Sequence, residues 1–419
     1  MSLKYQKLNP PALNRIELFL ARLLIFDIIF LGPIGVRLWG GVTERHLLLF
    51  LSLGISLVFL LKRRSCSLSL FYTLFAAALY IVVWGLFIPL IAQGGVSSAL
   101  SEIKPLMYLF FIPSALRIRN NNNMDVIRRD VLLWSLILGS VIVFVWFKAT
   151  ISAETTYALG IKSFYSYASG TSDGIYIGPM PDSSFRVFWI SCAIFPWSIL
   201  LLKRSDKLWG LSAILFLCAA YATGTRAIFY TSVIAFLFTL YKHVSFRARL
   251  VSLGALVLIL SLSLDYGFTR FEEARMFEVR SDFNSDSARY TQTMSLIESW
   301  QDSIFLGRGL GSSADVVRSK FAPYSYELTY VALLMKTGVL GVIFAVAIFM
   351  SVHFSIHSFS RYRSPNINRN GPFSVGLVLF LMVTFTNPYL FTIHGLVLLT
   401  GLLIGGKIES SSYQNRSKS

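Results

Sequence analysis

Charge is scarce in this sequence. Of 419 residues only 14% are Asp, Glu, Lys or Arg, and the mean hydropathy is +0.63. A soluble globular domain carries about 25% charged residues, so that class is excluded. Cysteine is scarce as well: Cys66, Cys192 and Cys218 offer neither a disulfide framework nor a zinc spacing. The histidines form no cluster and no Asp-x-Asp pair lies in an exposed loop, so no catalytic metal is expected. Neither a P-loop nor a Gly-x-Ser-x-Gly elbow is present. The stretch "GRGLG" (307–311) lacks the strand, helix and downstream acid of a dinucleotide site. There is no pair of inverted halves of the kind that marks many transporters.

What the chain does have is apolar runs. They recur from end to end, so it reads as a single polytopic membrane domain, 1–419, of all-α class. About twelve spans are expected, at roughly 16–36, 46–61, 69–92, 103–116, 131–150, 186–202, 208–222, 227–241, 249–265, 326–356, 373–386 and 389–406. The first run lacks a small-residue cleavage site and reads as a retained span. The formal net charge of +17 falls on alternate connections. Lys62/Arg63/Arg64, Arg117/Arg119/Arg128/Arg129, Lys203/Arg204/Lys207, Lys242/Arg247/Arg249 and Arg361/Arg363/Arg369 mark those connections. Both tails are basic too. This bias places both termini in the cytoplasm and explains the charge without nucleic acid.

Two connections on the opposite side are long. The first, 151–185, is rich in Tyr, Ser and Gly; the second, 266–325, lies between the ninth and tenth spans. Long outer loops are usually functional or disordered. Within the second, "DSARYTQTMSLIESWQDSIF" spaces Tyr290, Met294, Ile297, Trp300 and Ile304 as an amphipathic helix suited to the outer membrane surface.

Three arginines stand out on that outer side. Arg226 follows "ATGT", Arg186 opens a span after the first long loop, and Arg289 begins the amphipathic segment. A guanidinium fork matches phosphate oxygens and stays charged at any physiological pH. The same side chains could instead reach lipid headgroups or pair with carboxylates. Further along, "YSYELTYVALLMKTGVLG" turns from polar to apolar, with Glu327 at its mouth and Lys336 inside. A charge at the bilayer centre costs roughly 2.5–3.5 kcal/mol on insertion scales, so Lys336 is expected to be paired or to snorkel. Glu327 has two open roles, as a base or as the partner of a loop arginine. His394, within the last span, reads as a packing residue.

The ordered set "ATGTRAIF", "DSARYTQTMSLIESW", "GRGLG" and "ELTYVALLMKTGVLG" resembles the Wzy-type O-antigen polymerase and O-antigen ligase superfamily. The resemblance covers about 185–345. It implies a metal-independent, GT-C-like glycosyltransferase without a cofactor, in the inner (plasma) membrane of a bacterium. Such an enzyme would move a glycan from an undecaprenyl-diphosphate-linked oligosaccharide to a sugar hydroxyl on the outer face, among membrane lipids and alongside a chain-length regulator. Arg226 and Arg289 match the family's arginines, and Arg186 fits more loosely. Glu327 stands where the ligase branch carries His, which favours the polymerase branch; Tyr330 falls at the family Tyr. Glu327, Arg226 and Arg289 are then the expected catalytic residues. Arg186, Arg308, Tyr324, Tyr326 and Tyr330 are expected to bind the diphosphate or the glycan, and Tyr157, Tyr165, Tyr167 and Tyr176 to stack on sugar rings. A ligase acting on lipid-A core and a flippase for lipid-linked oligosaccharide are the rival expectations.

Overall fold

A computed structural model describes residues 11–30, 37–39, 42–43, 47–48, 50–51, 54, 68–92, 96–111, 124–152, 175–179, 185–203, 206, 208–243, 285–317, 323–326, 328–361 and 371–386. The expected spans 249–265 and 389–406, most of 46–61, and the roles expected of Glu327, Tyr157, Tyr165, Tyr167 and His394 lie outside that set, as does the side chain of Tyr176.

Apolar sequence becomes helix here because, without water, a backbone must satisfy its own polar groups. The elements are α1 (Pro11–Phe30), the hairpin β1 (Arg37–Trp39) and β2 (Val42–Thr43), and α2 (Leu68–Val82). From α2 a π-helical turn (Val83–Phe87) leads into α3 (Ile88–Ile91). Then come α4 (Val96–Leu106) with a 3₁₀ turn (Met107–Phe111), and α5 (Met124–Ser152). A second hairpin, β3 (Ile175–Pro179) and β4 (Phe185–Trp189), passes through a 3₁₀ turn into α6 (Phe195–Leu201). The rest are α7 (Trp209–Ala222), α8 (Arg226–His243), α9 (Ser285–Gln301), α10 (Thr329–Arg361) and α11 (Gly371–Thr386).

The protein is a mostly helical, multi-pass membrane protein. Among the described residues three helices are long and apolar enough to cross a bilayer: 72–91, 125–150 and 329–351. Shorter apolar helices cover 191–201, 209–222, 226–241 and 375–384. Besides the hairpin β1–β2 and strand β3 in the connections, two places within the expected spans depart from the all-helical expectation. The run expected to begin as a helix at Arg186 begins instead as strand β4, antiparallel to β3 with Gly178 opposite Arg186. β-branched and aromatic residues in "FRVFW" favour that extended form. Helix α10, expected as one span, is broken at Gly338 (φ 63, ψ −176).

Helices α5, α6, α7, α8 and α11 enclose one buried cluster, which includes Leu138, Ile142, Phe195, Phe216, Ile228 and Val383. A second joins α1, α2, α4 and α10 through Leu24, Tyr80, Trp84, Ile103 and Ile348. One end of the first group is closed by ion pairs. Arg128, 7% exposed, donates to Asp206 Oδ2 at 2.8 Å and to the Leu201 carbonyl at 3.1 Å, while Lys203 Nζ reaches Asp125 Oδ1 at 2.8 Å. Burial, the largest single influence, works to raise the Asp206 carboxyl, but the Arg128 guanidinium together with the Lys203 N–H and charge outweighs it and holds the group below its usual range. On α1, Arg22 is joined to Asp130 at 2.5 Å.

Candidate functional site

Two of the expected residues meet at the turn between α7 and α8. Helix α7 stops at Ala222 because Gly224 takes a left-handed conformation (φ 62) that a side-chain-bearing residue rarely adopts. The turn is self-bonded: Thr223 Oγ1 donates to the Ala220 carbonyl at 2.7 Å and accepts from the Thr225 N–H at 3.2 Å. Arg186 reaches it from β4. Its Nε donates to the Thr223 carbonyl at 2.7 Å and its Nη2 to Thr225 Oγ1 at 3.2 Å, with the guanidinium 5.0 Å from the centre of the Phe188 ring. A Cβ on Gly224 would lie 3.2 Å from the Arg186 stem, so the glycine also makes room for the arginine. Arg226, the first residue of the 18-residue helix α8, is exposed and has no side-chain partner among the described residues. Two guanidiniums beside the N-terminus of one helix, whose first N–H groups carry partial positive charge, form an anion-attracting surface.

A second constellation surrounds the break in α10. The chain from Asp302 to Gly311 lies against α10 and the π-helical turn, near Trp84. Packed beside an apolar span, an irregular segment survives only if protein satisfies its backbone, and here the break does so. Arg308 N–H donates to the Met335 carbonyl at 3.0 Å and Gly309 N–H to that of Lys336 at 2.7 Å. In return, the Val339 and Leu340 N–H groups donate to the carbonyls of Ile304 and Phe305 at 2.9 and 3.1 Å. Leu310 N–H donates to the Trp84 carbonyl at 2.7 Å, and Trp84 Nε1 donates to the Leu306 carbonyl at 2.9 Å. Gly307, Gly309 and Gly311 all have positive φ, and a Cβ on Gly311 would sit 2.2 Å from the Ala99 nitrogen. The spacing of "GRGLG" reflects backbone against backbone, not a nucleotide.

Beneath this loop lies a buried ion pair. Lys336 and Glu102 are 1% and 5% exposed, and the Lys336 ammonium donates to Glu102 Oε1 and to the Tyr324 carbonyl. Glu102 Oε2 accepts from the Gly311 N–H at 2.6 Å. The Tyr324 and Tyr326 rings lie 6.0 and 5.7 Å from Lys336 Nζ. Lys336 is therefore paired and does not snorkel. Glu102 was not legible as a site residue: the expected span 103–116 starts one residue after it. A lone carboxylate in "SEIKPL" facing a lone lysine in another apolar run is the signal that could have found it.

The remaining expected residues are spread around α10. Arg308 pairs with Asp302. The Tyr326 hydroxyl, on a residue only 2% exposed, accepts from the Ala314 N–H at 2.7 Å. The Tyr330 hydroxyl is committed to α11, 2.9 Å from the Leu381 carbonyl and 2.6 Å from Thr384 Oγ1. Arg289 is exposed on α9, which packs on α10. That helix turns Gln292, Ser295, Leu296 and Ser299 inward and leaves Tyr290 and Met294 67% and 43% exposed. Trp300, expected on the same face as Tyr290, packs instead against the Leu296–Met335 cluster. The described contacts thus gather Arg186 with the Arg226 turn, and Tyr324 and Tyr326 around Lys336; they pair Arg308 with Asp302 in the neighbouring loop and place Arg289 on a third element.

Fold and site together define a helical membrane protein with cationic groups gathered at a helix turn and a loop lodged in a broken helix. A family model described as O-antigen ligase (Wzy_C) matches residues 211–346, from α7 into α10 and less than half of the chain. The match supports the O-antigen ligase and Wzy superfamily of glycosyltransferase-like enzymes that act on lipid-linked oligosaccharides. It spans Arg226, Arg289, Arg308, Glu327 and Tyr330 and leaves out Arg186. No curated protein matches the chain.

Proposed function

We propose that the protein is a polysaccharide polymerase that elongates O-antigen, capsule or exopolysaccharide repeats on the outer face of a bacterial inner membrane. The single observation that supports this most is Arg186 held on the Thr223–Thr225 turn beside exposed Arg226 at the start of α8. In the reaction, an acceptor sugar hydroxyl attacks the anomeric carbon of the lipid-linked glycan. The bond from that carbon to the diphosphate oxygen breaks, and undecaprenyl diphosphate leaves with the bonding pair. Arg186 and Arg226, joined by Arg289, hold the diphosphate and stabilise its growing charge, an effect commonly worth several kcal/mol per aimed donor. Glu327 takes the hydroxyl proton. Tyr324 and the first-loop tyrosines stack on sugar rings. Neither metal nor cofactor takes part. About twelve spans with cytoplasmic termini put this chemistry outside, where donors must come already activated. A chain-length regulator is the expected partner.

The description of the matching family gives a specific reason for a second reading, an O-antigen ligase. Purified protein incubated with lipid-linked repeat units alone separates the two. The polymerase yields a ladder of products, and Arg186→Ala or Arg226→Ala abolishes it at equal membrane expression. A ligase yields nothing until lipid-A core is added. A normal ladder from both arginine variants would overturn the proposed site.

A further inference from the structure

We infer that the buried Glu102–Lys336 pair is a clasp that closes segment 311–324 at its base and sets where the chain enters α10, so that both are positioning residues for transfer. The inference rests on the proposed transferase reading for its functional half and on geometry alone for the rest. One carboxylate and one ammonium hold both ends of the segment. Glu102 Oε2 accepts the Gly311 N–H at 2.6 Å, and Lys336 holds the Tyr324 carbonyl. The two side chains come from different helices, α4 and α10, so the clasp also fixes those helices relative to the segment. Within it, Ala314 N–H is bound to the Tyr326 hydroxyl at 2.7 Å, and Val316 N–H to Ser295 Oγ of α9 at 3.2 Å.

Stability is a poor explanation for such a pair. Replacing a buried ion pair by apolar residues of similar volume is often neutral or stabilising, whereas removing one partner is strongly destabilising. What an apolar pair cannot do is grip an N–H and a carbonyl at once. The clasp fixes Tyr324 just ahead of α10, which begins at Thr329; Glu327 lies between these two points in the sequence. A displacement of about 1 Å at a reacting group costs on the order of 100-fold in rate.

The test uses the full-length protein in detergent and the double variant Glu102→Met/Lys336→Met, which removes both charges together. Three quantities are compared with wild type: amide exchange across 309–316, affinity for labelled undecaprenyl diphosphate, and turnover of lipid-linked repeat units extracted from the producing cells, per diphosphate-binding site. The clasp predicts faster exchange at Gly311, affinity within about twofold of wild type, and turnover lowered on the order of 10- to 100-fold. A purely structural role would lower binding capacity and total activity together and leave turnover per site intact, which overturns the positioning claim. Unchanged exchange at Gly311 overturns the clasp itself. Should the double variant fail to fold, Glu102→Asp, which keeps both charges but withdraws the carboxylate from the Gly311 N–H, supplies the same three readings, with a smaller change in the same sense. Should wild type not turn over the extracted repeat units, with or without lipid-A core, the transferase reading fails, and the exchange measurement alone decides the clasp.

Discussion

Arg186 and Arg226 illustrate what one side chain gains from its surroundings. Alone on a helix end, an arginine beside a membrane is an ordinary headgroup contact. Arg186 is instead fixed by two hydrogen bonds and an aromatic face, while Arg226 is left with no side-chain partner among the described residues. One is pre-placed and the other is available. Glu327 supplies the complementary chemistry in the proposed reaction, and its substitution separates roles. Glu327→Gln removes the base and keeps the shape, so turnover should fall by about 10²-fold or more while donor affinity changes little. Steady-state kinetics beside a donor-binding measurement reads both numbers; equal losses in the two would make Glu327 a structural residue. The arginines were legible in the sequence because a cation after "ATGT" or at the head of an apolar run is conspicuous. Glu102 was not, since its meaning depends on a partner 234 positions away.

Elements carry the next level. The break in α10 frees backbone groups in the middle of a span, and the 304–309 segment returns a partner for each of Met335, Lys336, Val339 and Leu340. Loop and break therefore form one unit, and neither is stable without the other. Glycine is what lets them approach. Gly311→Ala would force φ 80 on an alanine and drive its Cβ to 2.2 Å from the Ala99 nitrogen, against backbone that cannot turn aside. Left-handed strain and overpacking together should cost about 3 kcal/mol or more. Gly210→Ala, on a helical glycine whose added Cβ would meet nothing within 4 Å, serves as the control and should be neutral or slightly stabilising. Thermal unfolding in detergent compares the two; equal melting points would show that the loop does not sit this close. Hydropathy marked the 326–356 run as a span but could not show its break. Gly338 keeps the apolar pattern of its neighbours, and what breaks the helix is a loop distant in sequence. Likewise, the strand at Arg186 was hidden in a run apolar enough for a span.

For the molecule as a whole, charge and apolarity divide the labour. Among the described residues, helices bury their faces in three clusters, one group being closed at an end by Arg128, Lys203, Asp125 and Asp206. The Arg226 turn lies at the other end of α7 and α8. This arrangement suits the proposed transferase, which takes an activated lipid-linked donor at one membrane face. Composition alone made the membrane class legible, and four short motifs made the superfamily legible. The pairing of Arg186 with the Arg226 turn required the folded chain, because the hairpin that delivers Arg186 has no periodicity that points to its partner. The most direct test is a structure of the protein with undecaprenyl-diphosphate-linked repeat unit bound. The proposed reading predicts the diphosphate within hydrogen-bond distance of both the Arg186 and Arg226 guanidiniums, at the first turn of α8. A headgroup bound elsewhere, with those two side chains untouched, would contradict it.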